Sequence, residues 1–215
     1  PVNGIRREAH LQEAMKRDVL SVLEDLRADP RFLSGITAWH RIPAREGQYA
    51  PLPEDIHPKL KEALASKGIS RLYTHQREAY DLIRAGKNVC VVTPTASGKT
   101  LCYNLPVLDT VLKDPESRAL YIFPTKALAQ DQLAELQDLK KKGGFALESF
   151  TFDGDTPPSK RRLAKEVGQI IITNPDMLHQ AILPHHPTWV KLFSGLRYVI
   201  VDEMHGYRGV FGSHV

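Results

Sequence analysis

The stretch Thr93-Pro-Thr-Ala-Ser-Gly-Lys-Thr100 constrains this chain more than any other, because it joins an apolar, β-branched run, Asn88 to Thr93, directly to a helix-compatible segment, Leu101 to Leu112. It fits G-x-x-x-x-G-K-[ST] except that Thr93 stands where the first glycine would be. Such a loop needs backbone N–H groups converging at a helix N-terminus and a lysine that reaches the outer phosphates of a bound anion. Thr95, Ala96, Ser97 and Gly98 supply closely approaching backbone, Lys99 supplies the cation, and Thr100 offers a hydroxyl to Mg²⁺. The site these residues predict is one for a nucleoside triphosphate. A chance Gly-Lys-Thr in a surface turn would lack the strand before it and the helix after it.

Four further β-branched or aromatic runs, Arg118 to Phe123, Leu147 to Phe152, Gln169 to Thr173 and Arg197 to Asp202, are each separated by helix-length amphipathic segments. Strands alternating with helices predict an α/β fold, a parallel sheet covered on both faces. Ahead of it, Leu11, Met15, Val19, Val22 and Leu26 recur at helical spacing up to Pro30, and Pro43, Pro51, Pro53 and Pro58 mark an extended linker. The expected organisation is therefore an N-terminal helix and proline-rich linker over 1–58 and the α/β domain over 59–215. A chain of 215 residues has room for one such core and not for a second of the same size.

The net charge of +4 is compatible with a nucleic-acid partner but too small to argue for one. Cys90 and Cys102 fall in runs that read as buried and lack a CxxC partner, so both are expected to be reduced core residues. With no apolar run long enough for a membrane span and no signal-peptide pattern, the expectation is a cytoplasmic protein that does not engage a membrane. His179, His185 and His186 lie between prolines without an accompanying cysteine and read as a solvated loop in preference to a metal site.

Arg197-Tyr-Val-Ile-Val-Asp202 is an apolar run ending on a carboxylate, which places Asp202 at the C-terminal edge of a parallel sheet, beside the loop. Asp202 is the expected Mg²⁺ partner together with Thr100. Glu203, one residue on, is expected to orient or deprotonate an attacking water, and Lys99, Asp202 and Glu203 form the candidate catalytic set.

With both motifs present, the chain resembles the first RecA-like domain of superfamily 2 helicases of the DEAD/DEAH type, with Asp202-Glu-Met-His205 as the box, over roughly residues 69–215. Leu72-Tyr-Thr-His-Gln76 is similar to the adenine-reading Q motif; the resemblance implies that Gln76 meets the adenine edge and that Tyr73 stacks nearby. Phe123-Pro-Thr-Lys-Ala-Leu-Ala-Gln-Asp-Gln132 resembles motif Ia, and Asp153-Gly-Asp-Thr156 and Thr173-Asn-Pro-Asp-Met-Leu178 stand where motifs Ib and Ic do. In this family those loops contact a nucleic-acid backbone, so Pro124, Thr125, Lys126, Gly154, Asp155, Thr173 and Asn174 become candidate contacts. His205 is implied to couple the γ phosphate to that edge.

More narrowly, Ile42-Pro-Ala-Arg-Glu46, Ala50-Pro-Leu-Pro53 and Tyr207-Arg-Gly-Val-Phe-Gly-Ser-His214 resemble the MrfA-like branch of bacterial and fungal DNA-repair helicases, which has RecQ-like affinities. That resemblance implies an ATP- and Mg²⁺-dependent 3′ to 5′ DNA helicase with a second RecA-like domain and a C-terminal zinc-binding domain. It also implies that this chain stops before the first domain ends and hydrolyses ATP poorly alone. DNA ranks ahead of RNA on the resemblance alone, and an RNA helicase or a nucleotide-gated scaffold that binds nucleic acid without unwinding it stays open.

Overall fold

The computed structural model describes residues 18–40, 42–43, 46–94 and 97–209. It divides into two compact units, residues 1–46 and 47–215. In the first, α1 (Val19–Ala28) is capped by Asp18, whose carboxylate accepts the Leu20 N–H, and Asp29 caps α2 (Pro30–Ser34), with Pro30 at its first turn. Pro30 thus ends one helix and starts another, as a residue without an N–H can. The part of the expected helix from Leu11 to Met15 lies outside the described residues.

The second unit begins inside the expected linker. Strand β1 (Tyr49–Pro51) pairs antiparallel with β2 (Arg71–Tyr73), Tyr49 opposite Tyr73 and Ala50 opposite Leu72. Helix α3 (Pro58–Ser66) lies between them in sequence. Residues 47–58 are anchored by the wholly buried Asp109 carboxylate, which accepts the His57 N–H at 2.8 Å and the Tyr80 hydroxyl at 2.9 Å. A buried carboxylate must be satisfied in this way, so the prolines here shape an ordered strap, not a spacer.

The main sheet has four parallel strands in the order β4 (Ser149–Thr151), β5 (Ile170–Thr173), β3 (Arg118–Ile122), β6 (Leu196–Val201). Helices α4 (Thr74–Arg84), α5 (Lys99–Lys113), α6 (Lys126–Gly143), α7 (Pro158–Val167), the short α8 (Pro175–Met177) and α9 (Val190–Gly195) complete the unit. Side chains alternate across a strand, and here both faces are buried. Ala119, Tyr121, Ile170 and Ile172 enter the core shared with Leu105, Leu136 and Leu139, while Leu120, Ile122 and Ile171 enter the one built around Trp189. The continuous apolar runs follow from that two-sided burial.

One expected strand is absent. Residues 88–93 have no sheet partner and Val92 is 89% exposed, although Val89, Val91, Val92 and Thr93 make the run β-branched. Cys90 is correspondingly exposed, against expectation, whereas Cys102 is buried in α5 and its thiol is pushed up to about 11 by burial. Among the described residues, no helix is long and apolar enough to cross a membrane.

Candidate nucleotide site and nucleic-acid edge

Gly98 is the N-cap of α5 at φ 74°, ψ 32°, a left-handed conformation that strains any residue with a Cβ. A Cβ there would also come within 2.6 Å of Gln76 Nε2. That closeness is a hydrogen bond: Gln76 Nε2 donates to the Gly98 carbonyl at 2.8 Å, while Gln76 Oε1 accepts the Tyr73 N–H at 2.9 Å. Gln76 is 3% exposed. Both ends of its amide are engaged by backbone, so in this structure it braces the loop from behind and does not present a free adenine-reading edge.

His75 braces the same loop, its Nε2 standing 3.1 Å from the Ser97 carbonyl. The hydroxyls of Thr93 and Ser97 bond across the loop at 2.6 Å. Lys99 folds back, Nζ donating to the carbonyls of Thr93 at 3.0 Å and Pro94 at 3.2 Å. Neutral carbonyls are weaker partners for an ammonium than phosphate oxygens, so these bonds are ones a polyphosphate can replace. Thr95 and Ala96 lie outside the described residues. Tyr73 stacks with Tyr49 at 5.0 Å between ring centroids and with His75 at 5.7 Å, so the aromatic surface beside the loop includes a ring from the proline-rich strap.

Asp202 follows β6, and its N–H continues the pairing by donating to Ile122 O at 3.1 Å. Its Oδ1 accepts the Glu203 N–H at 2.8 Å and its Oδ2 accepts the Tyr103 hydroxyl at 2.9 Å. Glu203 sits at φ 52° and is the one non-glycine among the described residues with positive φ. Backbone strain of this kind costs about 1–3 kcal/mol and concentrates at functional sites. Here it turns the side chain so that Oε2 lies 3.2 Å from His205 Nδ1.

A cavity of about 740 Å³ opens between residues 86–94 and β6, and Lys99, Tyr103, Asp202, Glu203 and His205 all line it. The structure therefore brings the candidate catalytic set and His205 onto one concavity. Burial, reinforced by Asp202, raises the Tyr103 phenol far above its usual range, with the Thr100 hydroxyl opposing. Tyr103 is consequently a neutral donor. Tyr207 is pushed up to about 12 by burial and by the Asp202 and Glu203 charges. Residues 210–215, with most of the Tyr207-to-His214 stretch, lie outside the described residues, as do Arg41, Ala44 and Arg45.

The expected nucleic-acid edge is less uniform. Thr125 is the exposed N-cap of α6, its hydroxyl accepting the Leu128 N–H, with Pro124 before it and Lys126 opening the helix. Lys126 is ion-paired with Asp155, so the motif Ia cation and the motif Ib carboxylate meet. The Gly154–Asp155 turn is held by Asp153 Oδ1, which accepts the Asp155 N–H at 2.9 Å, and by Arg161, whose guanidinium donates to the carbonyls of Asp153 and Thr156, each at 2.8 Å. Asn174 caps α8, accepting the Met177 N–H. Thr173 differs from expectation: it is 1% exposed and its hydroxyl donates to Phe152 O at 2.8 Å, so its side chain ties β5 to the neighbouring chain segment and is not presented at the edge.

Four participants are not singled out by the sequence. His75 sits inside the Leu72-to-Gln76 motif, and Tyr103 lies four residues after Lys99, one turn along the same helix face. Gln132 ends the motif Ia stretch, and Arg161 is one of two adjacent arginines on α7. Spacing could have singled out Tyr103; the others are ordinary helix residues until the fold is known.

A family model for the DEAD/DEAH box helicase matches residues 73–215. The chain belongs to that family. Among its relatives, the uncharacterized ATP-dependent helicase YprA of Bacillus subtilis (strain 168) is 51% identical over 200 residues, which are 93% of this chain and 26% of the relative. The ATP-dependent helicase HRQ1 of Saccharomyces cerevisiae is 40% identical over 201 residues, 90% of this chain and 18% of its own. A crystal structure of the DUF1998 helicase MrfA bound to DNA and AMPPNP superposes with a TM-score of 0.83 at 50% identity, covering 92% of this chain and 27% of that one. The chain thus spans between 18% and 27% of the length of these relatives, and its architecture is the RecA-like α/β domain of such helicases.

Proposed function

We propose that this chain is the ATP- and Mg²⁺-binding motor domain of an ATP-dependent DNA helicase. The observation that carries the reading is the convergence of Lys99, at a helix N-terminus capped by left-handed Gly98, with Asp202 and Glu203 at the end of β6 on one cavity. The donor set suits the ligand. Helix amides and an ammonium match a polyphosphate, a hydroxyl and a carboxylate match a hard divalent cation, and a strained second carboxylate suits water activation. The chemistry Mg²⁺ would supply when bound is neutralisation of the charge that develops in phosphoryl transfer. Lys99 would release the Thr93 and Pro94 carbonyls to hold phosphate, Thr100 and Asp202 would hold the metal, and Glu203 would orient the attacking water.

DNA is the substrate favoured by the MrfA crystal structure, which is bound to DNA; Pro124, Thr125, Lys126, Gly154 and Asn174 are the positions we assign to its backbone, with Asp155 competing with phosphate for Lys126. We assign 3′ to 5′ polarity, a role in DNA repair and a cytoplasmic site of action on the sequence resemblance. The motor also needs a second RecA-like domain in the same polypeptide, because an arginine supplied from outside the phosphate loop contributes about 10³–10⁵ in rate in such enzymes.

The test is ATP turnover by the full-length protein with single-stranded DNA, with single-stranded RNA and with neither, beside Lys99→Ala. Stimulation by DNA, lost together with turnover in the variant, is expected. Equal wild-type rates in all three conditions would remove the nucleic-acid motor from consideration.

A further inference from the structure

Behind Asp202 runs a polar chain, part-buried at Asp202 and Tyr103 and buried at Gln132, Asn104 and Tyr121, whose outer end has fewer donors than acceptors. The Tyr103 hydroxyl carries a single O–H but faces two acceptors, Asp202 Oδ2 at 2.9 Å and Gln132 Oε1 at 3.3 Å. Gln132, 5% exposed on α6, donates through Nε2 to Asn104 Oδ1 at 2.9 Å, and Tyr121 donates to the same oxygen at 2.9 Å. Asn104 is wholly buried, and its Nδ2 has no hydrogen-bond partner among the described residues. The chain Asp202, Tyr103, Gln132, Asn104, Tyr121 therefore runs from the nucleotide cavity through α5 to α6 and β3. It has one donor for two oxygens at one end and an amide NH2 group without a partner at the other.

A buried network that is not fully satisfied is costly, and a phenylalanine at position 103 would fill the same space without a polar group to bury. The hydroxyl serves two acceptors. One belongs to the nucleotide site. The other belongs to the helix whose first residues, Thr125 and Lys126, form the expected nucleic-acid edge.

We propose that Tyr103 is a positioning residue whose hydroxyl alternates between Asp202 and Gln132, so that engagement of Asp202 at the nucleotide site is passed through α6 to the nucleic-acid edge. In this structure the Tyr103 hydroxyl stands nearer Asp202, at 2.9 Å against 3.3 Å for Gln132, and donates to it. Once Asp202 commits its charge to a divalent cation it becomes the poorer acceptor, and Tyr103 gains by turning to Gln132. The two arrangements are discrete, which is what coupling between distant sites requires. This inference rests on the motor reading above.

The experiment measures the affinity of the full-length protein for a fluorescent single-stranded oligodeoxynucleotide, without nucleotide and with saturating Mg²⁺ and AMPPNP. The readout is the ratio of the two, with nucleotide binding confirmed separately. Tyr103→Phe removes the shared proton, and Gln132→Met removes the acceptor at similar volume. Each is expected to reduce the ratio by about three- to tenfold, the scale of one hydrogen bond, and the double variant to reduce it no further. A merely structural tyrosine would lower the melting temperature and leave the ratio intact, which overturns the proposal, as do additive losses in the double variant. Should Tyr103→Phe fail to fold, Gln132→Met decides alone: a reduced ratio supports the relay and a wild-type ratio overturns it. A wild-type protein whose DNA affinity ignores the nucleotide overturns relay and motor together, whereas a coupled wild type with equally coupled variants overturns only the relay.

Discussion

The two ends of the sheet's C-terminal edge hold their charges differently. At the nucleotide end, Lys99 rests on neutral backbone carbonyls and Asp202 on a tyrosine and a peptide N–H. At the proposed nucleic-acid end, Lys126 rests on Asp155, charge on charge, in the open. The first arrangement keeps a full positive and a full negative group in reserve, at the cost of two left-handed backbone positions, Gly98 and Glu203. The second neutralises itself and asks little of the backbone. A ligand entering the first site meets charges with only weak partners; a phosphate entering the second must displace a carboxylate. Function that depends on rigid placement should therefore reside at the first end, and adjustable affinity at the second.

The largest effect that would sharpen this contrast is Glu203→Gln. Removing the proposed base while keeping the shape should cut ATP turnover by about 10²–10⁴-fold and leave nucleotide and DNA binding close to wild type, read by steady-state hydrolysis beside equilibrium binding. An equal fall in DNA affinity would erase the distinction between the two ends.

Gly98→Ala comes next. The left-handed cap costs a residue with a Cβ about 1–2 kcal/mol, and the new methyl would push Gln76 off the Gly98 carbonyl. Nucleotide affinity should fall roughly tenfold, with a lower melting temperature. Gly154→Ala, at a position where an added Cβ meets nothing within 4 Å, should change stability far less. If the two alanine variants behave alike, rigidity is not concentrated at the nucleotide end.

The same contrast explains what the sequence could and could not disclose. β3 and β5 were legible because burial on both faces leaves a continuous apolar run, β6 because its apolar residues run unbroken from Tyr198 to Val201, and the meeting of the loop with Asp202 and Glu203 was legible because the chemistry expected of them admits few residue types. Residues 88–93 carry the same strand-like pattern as β5, but pairing is a property of neighbours and composition does not record it. β1 was hidden for the opposite reason. Three residues ending on Pro51 look like linker, and a proline is acceptable there because this two-stranded sheet leaves edges free. Thr173 was placed at the edge by its motif, yet a threonine hydroxyl can turn inward to a carbonyl as readily as outward. Tyr103, Gln132 and Asn104 acquire their meaning only when α5 and α6 are packed side by side.

The open strand offers a third measurement. β6 pairs on one side with β3, and its other side faces the cavity and residues 86–94. Because the β6 edge has unpaired backbone groups and the phosphate loop is continuous with 88–93, filling the site should draw this run onto β6. Hydrogen exchange of amides 89–93 in the full-length protein should slow by about tenfold or more with Mg²⁺ and AMPPNP, while those of β3, already paired on both sides, stay unchanged. Protection equal in both states would mean that the run contributes nothing to nucleotide binding.

The smallest effect belongs to the self-neutralised end. Asp155→Asn should free Lys126 for phosphate and raise single-stranded DNA affinity by about two- to fivefold, the range expected for an exposed pair, and steepen its salt dependence by roughly 0.7 in the log–log slope, the share of one phosphate contact on a single strand. The pH dependence has a definite sign. Lys126 holds the Asp155 carboxyl below its usual 3.8, and Asp155 holds the Lys126 ammonium above its usual 10.5. The pair is thus intact between the two usual values and is lost as pH falls through the lowered carboxyl value or rises through the raised ammonium value, so wild-type affinity gains nothing from this pair across about pH 5 to 9. A wild-type protein that approached Asp155→Asn in affinity as pH dropped from 8 to about 6 would show that some other group, and not Asp155, restrains Lys126. The expected result is that only the substitution releases it.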